Sequence, residues 1–196
     1  MNRNTYFKKE RIFSLIFSGI LLFSLSLTGC SKPSPESSDE SKATTALLGE
    51  FTAVTHTGDS VDQTVFEKAD VTMINIWTTF CTYCLTEMPD LKSLSEQYED
   101  QGFQVIGIVS DVARSGDETV QDIIDQTGAD YMHIIPSSGL RTGFLKDVQS
   151  VPTTYFVDAQ GNQIGEPYLG ARDRESWEVI IKEMLSQVQE NADEES

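Results

Sequence analysis

Cysteine, histidine and basic side chains are scarce in this chain of 196 residues. It has three cysteines and two histidines, and 14 Lys and Arg stand against 31 Asp and Glu, a formal net charge of −17. With no second cysteine pair, a structural zinc lacks its usual ligand set. His56 and His133 read as structural side chains rather than metal ligands. A field this acidic repels nucleic acid and anionic lipid, so no nucleic-acid partner is expected. The charge itself reads as a solvated surface. No internal repeat is visible. The mostly apolar stretch 12–27 stops at 16 residues, short of the roughly 20 that a membrane-spanning helix needs.

That stretch has another use. Arg3, Lys8, Lys9 and Arg11 precede it, and Leu27-Thr28-Gly29-Cys30 follows it. A basic start and a short apolar segment make a secretion signal. The ending resembles a bacterial lipobox, in which the cysteine is diacylated and becomes the new N-terminus. The expected result is a signal peptide over 1–29, a lipid on Cys30, and a protein held outside the cytoplasm at the bacterial cell membrane. Residues 30–196 then keep ten basic and thirty acidic side chains. Residues 30–46 read as a lipidated, disordered tether of Ser, Pro, Thr, Glu, Asp and Lys, with almost nothing to bury. As a flexible coil it reaches roughly 20–25 Å. Residues 47–189 make one domain, and residues 190–196 an acidic tail expected to fray.

With Cys30 capped as a thioether, two cysteines remain, both in Cys81-Thr82-Tyr83-Cys84. An apolar run over 71–77 leads into them, which predicts a buried strand. A helix is predicted over 82–101, with Cys84, Met88, Leu91, Leu94 and Tyr98 spaced four, three, three and four apart. The first cysteine falls where the free N–H groups and dipole of a helix start favour a thiolate. The second lies one turn inside, near enough to close a disulfide. That is the geometry of reversible two-electron exchange, and disulfides persist outside the cytoplasm. Further along, a hairpin is predicted over 51–65, strands over 103–110, 132–135, 154–157 and 163–169, and helices over 117–127 and 140–148. A last helix carries Trp177, Ile180, Ile181, Met184, Leu185 and Val188 as a core-facing stripe. The order implies an α/β fold, a central mixed sheet with helices on both faces.

A cysteine pair between a strand and a helix in this order resembles the thioredoxin fold. Asn75-Ile76-Trp77-Thr78-Thr79-Phe80-Cys81-Thr82-Tyr83-Cys84-Leu85-Thr86-Glu87-Met88-Pro89 is similar to the signature of the redox-lipoprotein branch related to TlpA and ResA. So are an α/β element inserted between residues 103 and 151 and the N-terminal hairpin. The resemblance implies that Cys81 is the exposed nucleophile and Cys84 the buried resolving thiol. It places Trp77 and Phe80 at the branch's two aromatic positions, packed against the site, with Phe80 standing where a second Trp is usual. It places Pro89 at a helix kink. Val151-Pro152-Thr153 matches the cis-proline loop opposite the cysteines, where Val151 backbone groups pair with a substrate strand beside the mixed disulfide. Trp77, Phe80, Val151 and Thr153 are therefore the expected substrate-binding residues, and Pro152 belongs with the catalytic set. Asn75 stands where cytoplasmic thioredoxins carry a buried Asp, and an amide takes up no proton. Glu87 matches a carboxylate of the ResA-like branch, expected to raise the thiol pKa values and to relay a proton for Cys84.

The resemblance implies an enzyme: a tethered thiol–disulfide oxidoreductase that needs no cofactor. Its expected clients are disulfide-containing envelope proteins, such as apocytochrome c or an extracytoplasmic methionine sulfoxide reductase. Its expected electron donor is a membrane protein of the CcdA or DsbD kind. Thr82 and Tyr83, between the cysteines, supply no positive charge, which argues against a strong oxidant. The alternative is a copper-binding chaperone on the same fold. That branch separates its cysteines by three residues and adds a distant histidine, whereas two residues separate them here. A peroxidase of the P-x-x-x-T-x-x-C pattern would need proline at Ile74.

Overall fold

Seven consecutive buried residues, Val71–Trp77, form the middle of the sheet. A strand with no polar face needs cover on both sides. The computed structural model describes residues 46–194. The signal segment, Cys30 and all of the tether except Ala46 lie outside the described residues.

In chain order the elements are β1 (Thr52–Thr55), β2 (Ser60–Asp62), β3 (Val71–Trp77), α1 (Thr82–Tyr98), β4 (Phe103–Val109), α2 (Glu118–Thr127), β5 (Met132–Ile135), α3 (Ser138–Thr142), β6 (Thr153–Asp158), β7 (Gln163–Leu169) and α4 (Arg174–Glu194). Tighter 3₁₀ turns occupy Gln63–Lys68, Glu99–Gln101 and Phe144–Asp147. The strands form one mixed sheet in the order β2-β1-β5-β4-β3-β6-β7. β3, β4 and β5 run parallel, and the outer pairs are antiparallel.

Alternation along β3 divides the core in two. Met73 and Trp77 face a cluster with Cys84, Met88, Leu91 and Leu94 of α1, Val120 and Ile124 of α2, and Trp177 and Ile181 of α4. Ile74 and Ile76 face the other way, onto Phe66, Ile106, Ile108 and Leu140. Asn75 shares the parity of Met73 and Trp77, so it points into the helix-covered face. The register sets Thr154 of β6 beside it, Gly107 of β4 on its other side, and His133 of β5 beyond Gly107. One row across the sheet thus carries three polar residues, with Thr154 and Asn75 on one side of a glycine and His133 on the other.

Helix ends follow local chemistry. Asp117 caps α2 by accepting the Thr119 and Val120 N–H groups, and Gly128, at φ 68°, closes it. Asp173 accepts the Ser176 N–H at 2.8 Å at the start of α4. α1 runs as one helix through Pro89.

Three stretches differ from expectation. The hairpin is shorter than 51–65, because the Asp62 carboxylate accepts the Thr64 N–H and starts a 3₁₀ turn there. The helix expected over 140–148 is two pieces, split where Gly143 leaves helical backbone angles (φ −92°, ψ −102°). The tail expected to fray from residue 190 is helical to Glu194. Gln189, Glu190 and Ala192 are good helix formers, so α4 outlasts its apolar stripe.

Candidate active site

Cys81 is the N-cap of α1: its Sγ accepts the Cys84 N–H at 3.1 Å, and its own N–H donates to the Thr78 carbonyl at 3.1 Å. The preceding turn is tied down by Asp111, whose carboxylate accepts both the Thr79 N–H at 3.1 Å and the Thr79 hydroxyl at 2.5 Å. Cys81 and Cys84 are joined in a disulfide with Cα atoms 5.3 Å apart. Cys81 is partly exposed and Cys84 fully buried. A partner can therefore reach only the first sulfur, which also sits at the positive end of a 17-residue helix.

The two aromatic positions part ways: Trp77 packs in the cluster with Cys84, as expected, and Phe80 does not pack. Trp77 is fully buried, and its indole N–H donates to His133 Nδ1 at 3.2 Å. A side chain with no exposed surface touches no partner, so Trp77 supports the site from within the core. Phe80 is 78% exposed, so it forms no packed wall. It stands in the turn just before Cys81, and Tyr83, two residues after that cysteine, is 75% exposed, so the chain on both sides of Cys81 carries bare aromatic surface. Thr153 is buried and its hydroxyl donates to the Ser150 carbonyl at 2.7 Å, which spends its one donor on fixing the loop. The Val151–Pro152 peptide bond is cis, and Val151 is half-buried against the same cluster as Cys81. Beside it, Thr78, Ser110, Arg141, Leu145 and Val148 line a groove of about 390 Å³.

Glu87 is 2% exposed, and both of its oxygens are engaged. Oε1 accepts from Asn75 Nδ2 at 2.9 Å. Oε2 accepts from the Arg172 main-chain N–H at 3.1 Å and from the Trp177 indole N–H at 3.1 Å. Asn75 Nδ2 also donates to the Thr154 hydroxyl at 3.1 Å. Burial raises the Glu87 pKa above the ordinary carboxylate value, and the three N–H donors and the Arg172 charge partly offset it. A carboxyl so placed, one turn beyond Cys84, is equipped to hold a proton near the resolving thiol.

His133 forms a second buried polar group on the same sheet face. Its Nδ1 accepts from Trp77, and its Nε2 lies 2.8 Å from the Ala129 carbonyl. The ring packs tilted on Tyr131 and edge-on to His56. Burial lowers its pKa to about 4, partly offset by the Ala129 carbonyl. With both nitrogens engaged, His133 has none left for a metal.

Sequence reasoning brought Cys81, Cys84, Asn75 and Glu87 to one place, but missed two donors to Glu87, Trp177 and the Arg172 N–H, and the Thr154 hydroxyl on Asn75. Trp177 was visible only as part of an apolar stripe. A buried indole does need an acceptor for its N–H, though nothing in the sequence says which. Thr154 and the Arg172 N–H carry no sequence signal.

The AhpC/TSA family model matches residues 45–164 of the chain. Among curated relatives, the thiol-disulfide oxidoreductase ResA of Oceanobacillus iheyensis is 29% identical over 136 residues, covering 66% of this chain and 67% of the relative. The ResA of Halalkalibacterium halodurans is 29% identical over 104 residues, 53% of this chain and 56% of that one. The matches thus span between about half and two thirds of these relatives. Among solved structures, a thioredoxin-family thiol:disulfide interchange protein from Chlorobium tepidum superposes with a TM-score of 0.58 at 24% identity, covering 69% of this chain and 93% of that one. StoA from Bacillus subtilis superposes at 0.53 and 17%, covering 67% and 96%. At these identities the superpositions establish the fold, which is thioredoxin-like.

Proposed function

The chain belongs to the AhpC/TSA family, its Cys81/Cys84 pair makes it a thiol–disulfide oxidoreductase, and we propose that it works outside the cytoplasm as a lipid-tethered reductant of envelope-protein disulfides. The observation that carries the reading is the contrast between a partly exposed Cys81 at a helix cap and a fully buried Cys84 one turn inside.

The exchange runs in two displacements. The Cys81 thiolate attacks one sulfur of the substrate disulfide. A Cys81–substrate bond forms, the substrate S–S bond breaks, and the departing sulfur leaves as a thiolate that takes up a proton. Cys84 then gives its proton to Glu87 and attacks Cys81 Sγ. The Cys81–Cys84 bond forms, the Cys81–substrate bond breaks, and the second substrate sulfur leaves as a thiolate that takes up a proton while Glu87 gives up the one it received. Two electrons and two protons have moved to the substrate. A dithiol donor of the CcdA or DsbD kind reverses the chemistry on the Cys81–Cys84 bond.

The surroundings support this assignment. Phe80, Tyr83 and the exposed Leu169 offer apolar surface to a polypeptide. Val151, at the mouth of the groove, carries main-chain groups for a substrate strand. Tethering rests on the Leu27-Thr28-Gly29-Cys30 ending. Among the described residues no helix is long and apolar enough to cross a membrane, and the lipid on Cys30 would supply the attachment. Apocytochrome c and a methionine sulfoxide reductase are the clients to try first. ResA of Oceanobacillus iheyensis, a relative named as a thiol-disulfide oxidoreductase, supports the activity itself.

Trapping tests the reading. Cys84→Ser should accumulate a mixed disulfide through Cys81 with envelope proteins, and Cys81→Ser should accumulate none. Equal trapping by both variants would remove the assignment of roles. A free Cys30 thiol in protein extracted from membranes would remove the lipid anchor and leave the exchange reaction standing.

A further inference from the structure

The two oxygens of Glu87 are not held alike. Oε2 receives two N–H donors, the Arg172 main chain and the Trp177 indole, while Oε1 receives the Asn75 amide alone. An oxygen that already accepts two N–H groups has little lone pair left for a proton. The Asn75 carbonyl oxygen, on the Oε1 side, is buried with no hydrogen-bond partner. A hydrogen on Oε1 could therefore be received if the Asn75 amide turned over, whereas a hydrogen on Oε2 would meet two donors.

The donors on Oε2 come from one short piece of chain. Gly170, at φ 79°, turns the backbone out of β7, and its N–H donates to the Pro152 carbonyl at 2.9 Å. Two residues on, the Arg172 N–H donates to Glu87. The Arg172 side chain folds back, its Nη1 3.0 Å from the Gly170 carbonyl, and its guanidinium lies over the Tyr168 ring at 4.8 Å and the Trp177 ring at 5.2 Å. Asp173 then caps α4, which delivers Trp177. The segment 170–173 thus links the cis-proline loop to the carboxyl beside Cys84, and its arginine roofs the indole.

We propose that Trp177 is a positioning residue of the exchange: with the Arg172 main-chain N–H it keeps Oε2 of Glu87 an acceptor only, so that the proton passed between Cys84 and Glu87 is carried on Oε1. This rests on the reading of Glu87 as the proton carrier. A residue chosen only to fill the core would need no acceptor, and the indole spends its one donor on the sole buried carboxylate among the described residues. The charged or titratable groups around this unit are Arg172 from the segment after β7, Tyr168 from β7, Tyr131 from before β5, Cys81 at the cap of α1 and Cys84 within it; the neighbours from β3 and β6 are the neutral Asn75 and Thr154.

The chain has two tryptophans, and their indole N–H groups bond to different partners, so one serves as the control for the other. The experiment follows both indole resonances by ¹⁵N NMR against pH in the reduced full-length protein. The Trp177 resonance should step at the same midpoint as the Glu87 carboxyl and lose that step in Glu87→Gln, while the Trp77 resonance, on His133, shows no step there. Trp177→Phe, where it folds, should move the Glu87 midpoint upward, because a donor to the ionised form is gone. It should slow closure of the internal disulfide by less than Glu87→Gln does, and the double variant should be no slower than Glu87→Gln alone. A Trp177 resonance that stays flat while Glu87→Gln slows the reaction would overturn the inference and leave the proton carrier intact. If Glu87→Gln exchanges at the wild-type rate, the reading of Glu87 has failed and the inference falls with it.

Discussion

Glu87 and His133 are two buried ionisable groups on one face of one sheet, and burial drives them in opposite directions. The carboxyl is pushed up and the imidazole is pushed down to about 4, so each is moved toward its neutral form. The difference lies in what their partners leave free. His133 is closed off, one nitrogen on an indole and the other on a carbonyl, over a glycine that makes room for it. A Cβ at Gly107 would lie 2.3 Å from His133 Nδ1. Glu87 is held by three N–H donors and no salt bridge, one helical turn from a sulfur that must lose and regain a proton. One group is spent on structure and the other is left able to titrate.

The sharpest way to break that comparison is to neutralise each group in turn. Glu87→Gln should slow resolution of the mixed disulfide by roughly 100-fold, the low end of what a positioned proton carrier contributes. It should also let thiolate form at lower pH, since a negative charge beside the thiols is gone. His133→Asn should leave both the rate and the thiolate curve unchanged. Stopped-flow kinetics and thiolate absorbance against pH read both effects, and a His133→Asn rate as slow as that of Glu87→Gln would erase the distinction.

Stability against pH should show the two groups pulling apart. His133 has a folded-state pKa below its unfolded value of 6.5, so the unfolded chain binds the extra proton as pH falls. Stability is lost between pH 6.5 and about 4, by roughly 3 kcal/mol at most. Glu87 has a folded-state pKa above its unfolded value, so its contribution is present in full below pH 4.5 and is lost as pH rises through the folded pKa. Denaturant titrations at successive pH values should find the acid-side slope missing in His133→Asn. Glu87→Gln should gain on the wild type as pH rises. Like slopes in all three proteins would mean that neither group is buried as described.

The smallest expected effect concerns the donor to His133. Trp77→Phe keeps most of the ring in the core and removes the N–H, leaving Nδ1 without a partner. The cost should be about 1–2 kcal/mol, read as a shift of the denaturation midpoint, with the thiolate curve superimposed on that of the wild type.

How far this contrast could be read in advance varied along the chain. β3 is legible because Val71 to Trp77 is apolar apart from Thr72 and Asn75, and its parity already aims Asn75 at α1. Glu87 could be singled out because it follows Cys84 by three residues on a helix. Its depth could not, since that depends on Trp177, 90 residues away in the chain, and on a main-chain N–H that any residue at 172 would carry. The His133 group was hidden for a related reason. Its room comes from Gly107 on the neighbouring strand, and a glycine in a strand announces a close approach without naming what approaches. Phe80 was misplaced because alignment with an aromatic position gives residue type, not exposure, and the Asp111 clamp on Thr79 sets the turn that leaves Phe80 in solvent. The break at Gly143 and the helical end of α4 turn on local backbone and helix propensity, which an apolar stripe does not report.

The central claim is that Cys81 and Cys84 form a reversible two-electron couple rather than an inert crosslink. Equilibrating the full-length protein in a series of glutathione and dithiothreitol buffers, quenching with an alkylating agent and weighing the products measures this directly. The account predicts one transition with two-electron steepness in which both cysteines change together. It should lie below the roughly −120 mV of strongly oxidising dithiol proteins, because no cation between Cys81 and Cys84 stabilises the reduced form. A disulfide that stays closed across the whole series, or two cysteines that respond at different potentials, would contradict it.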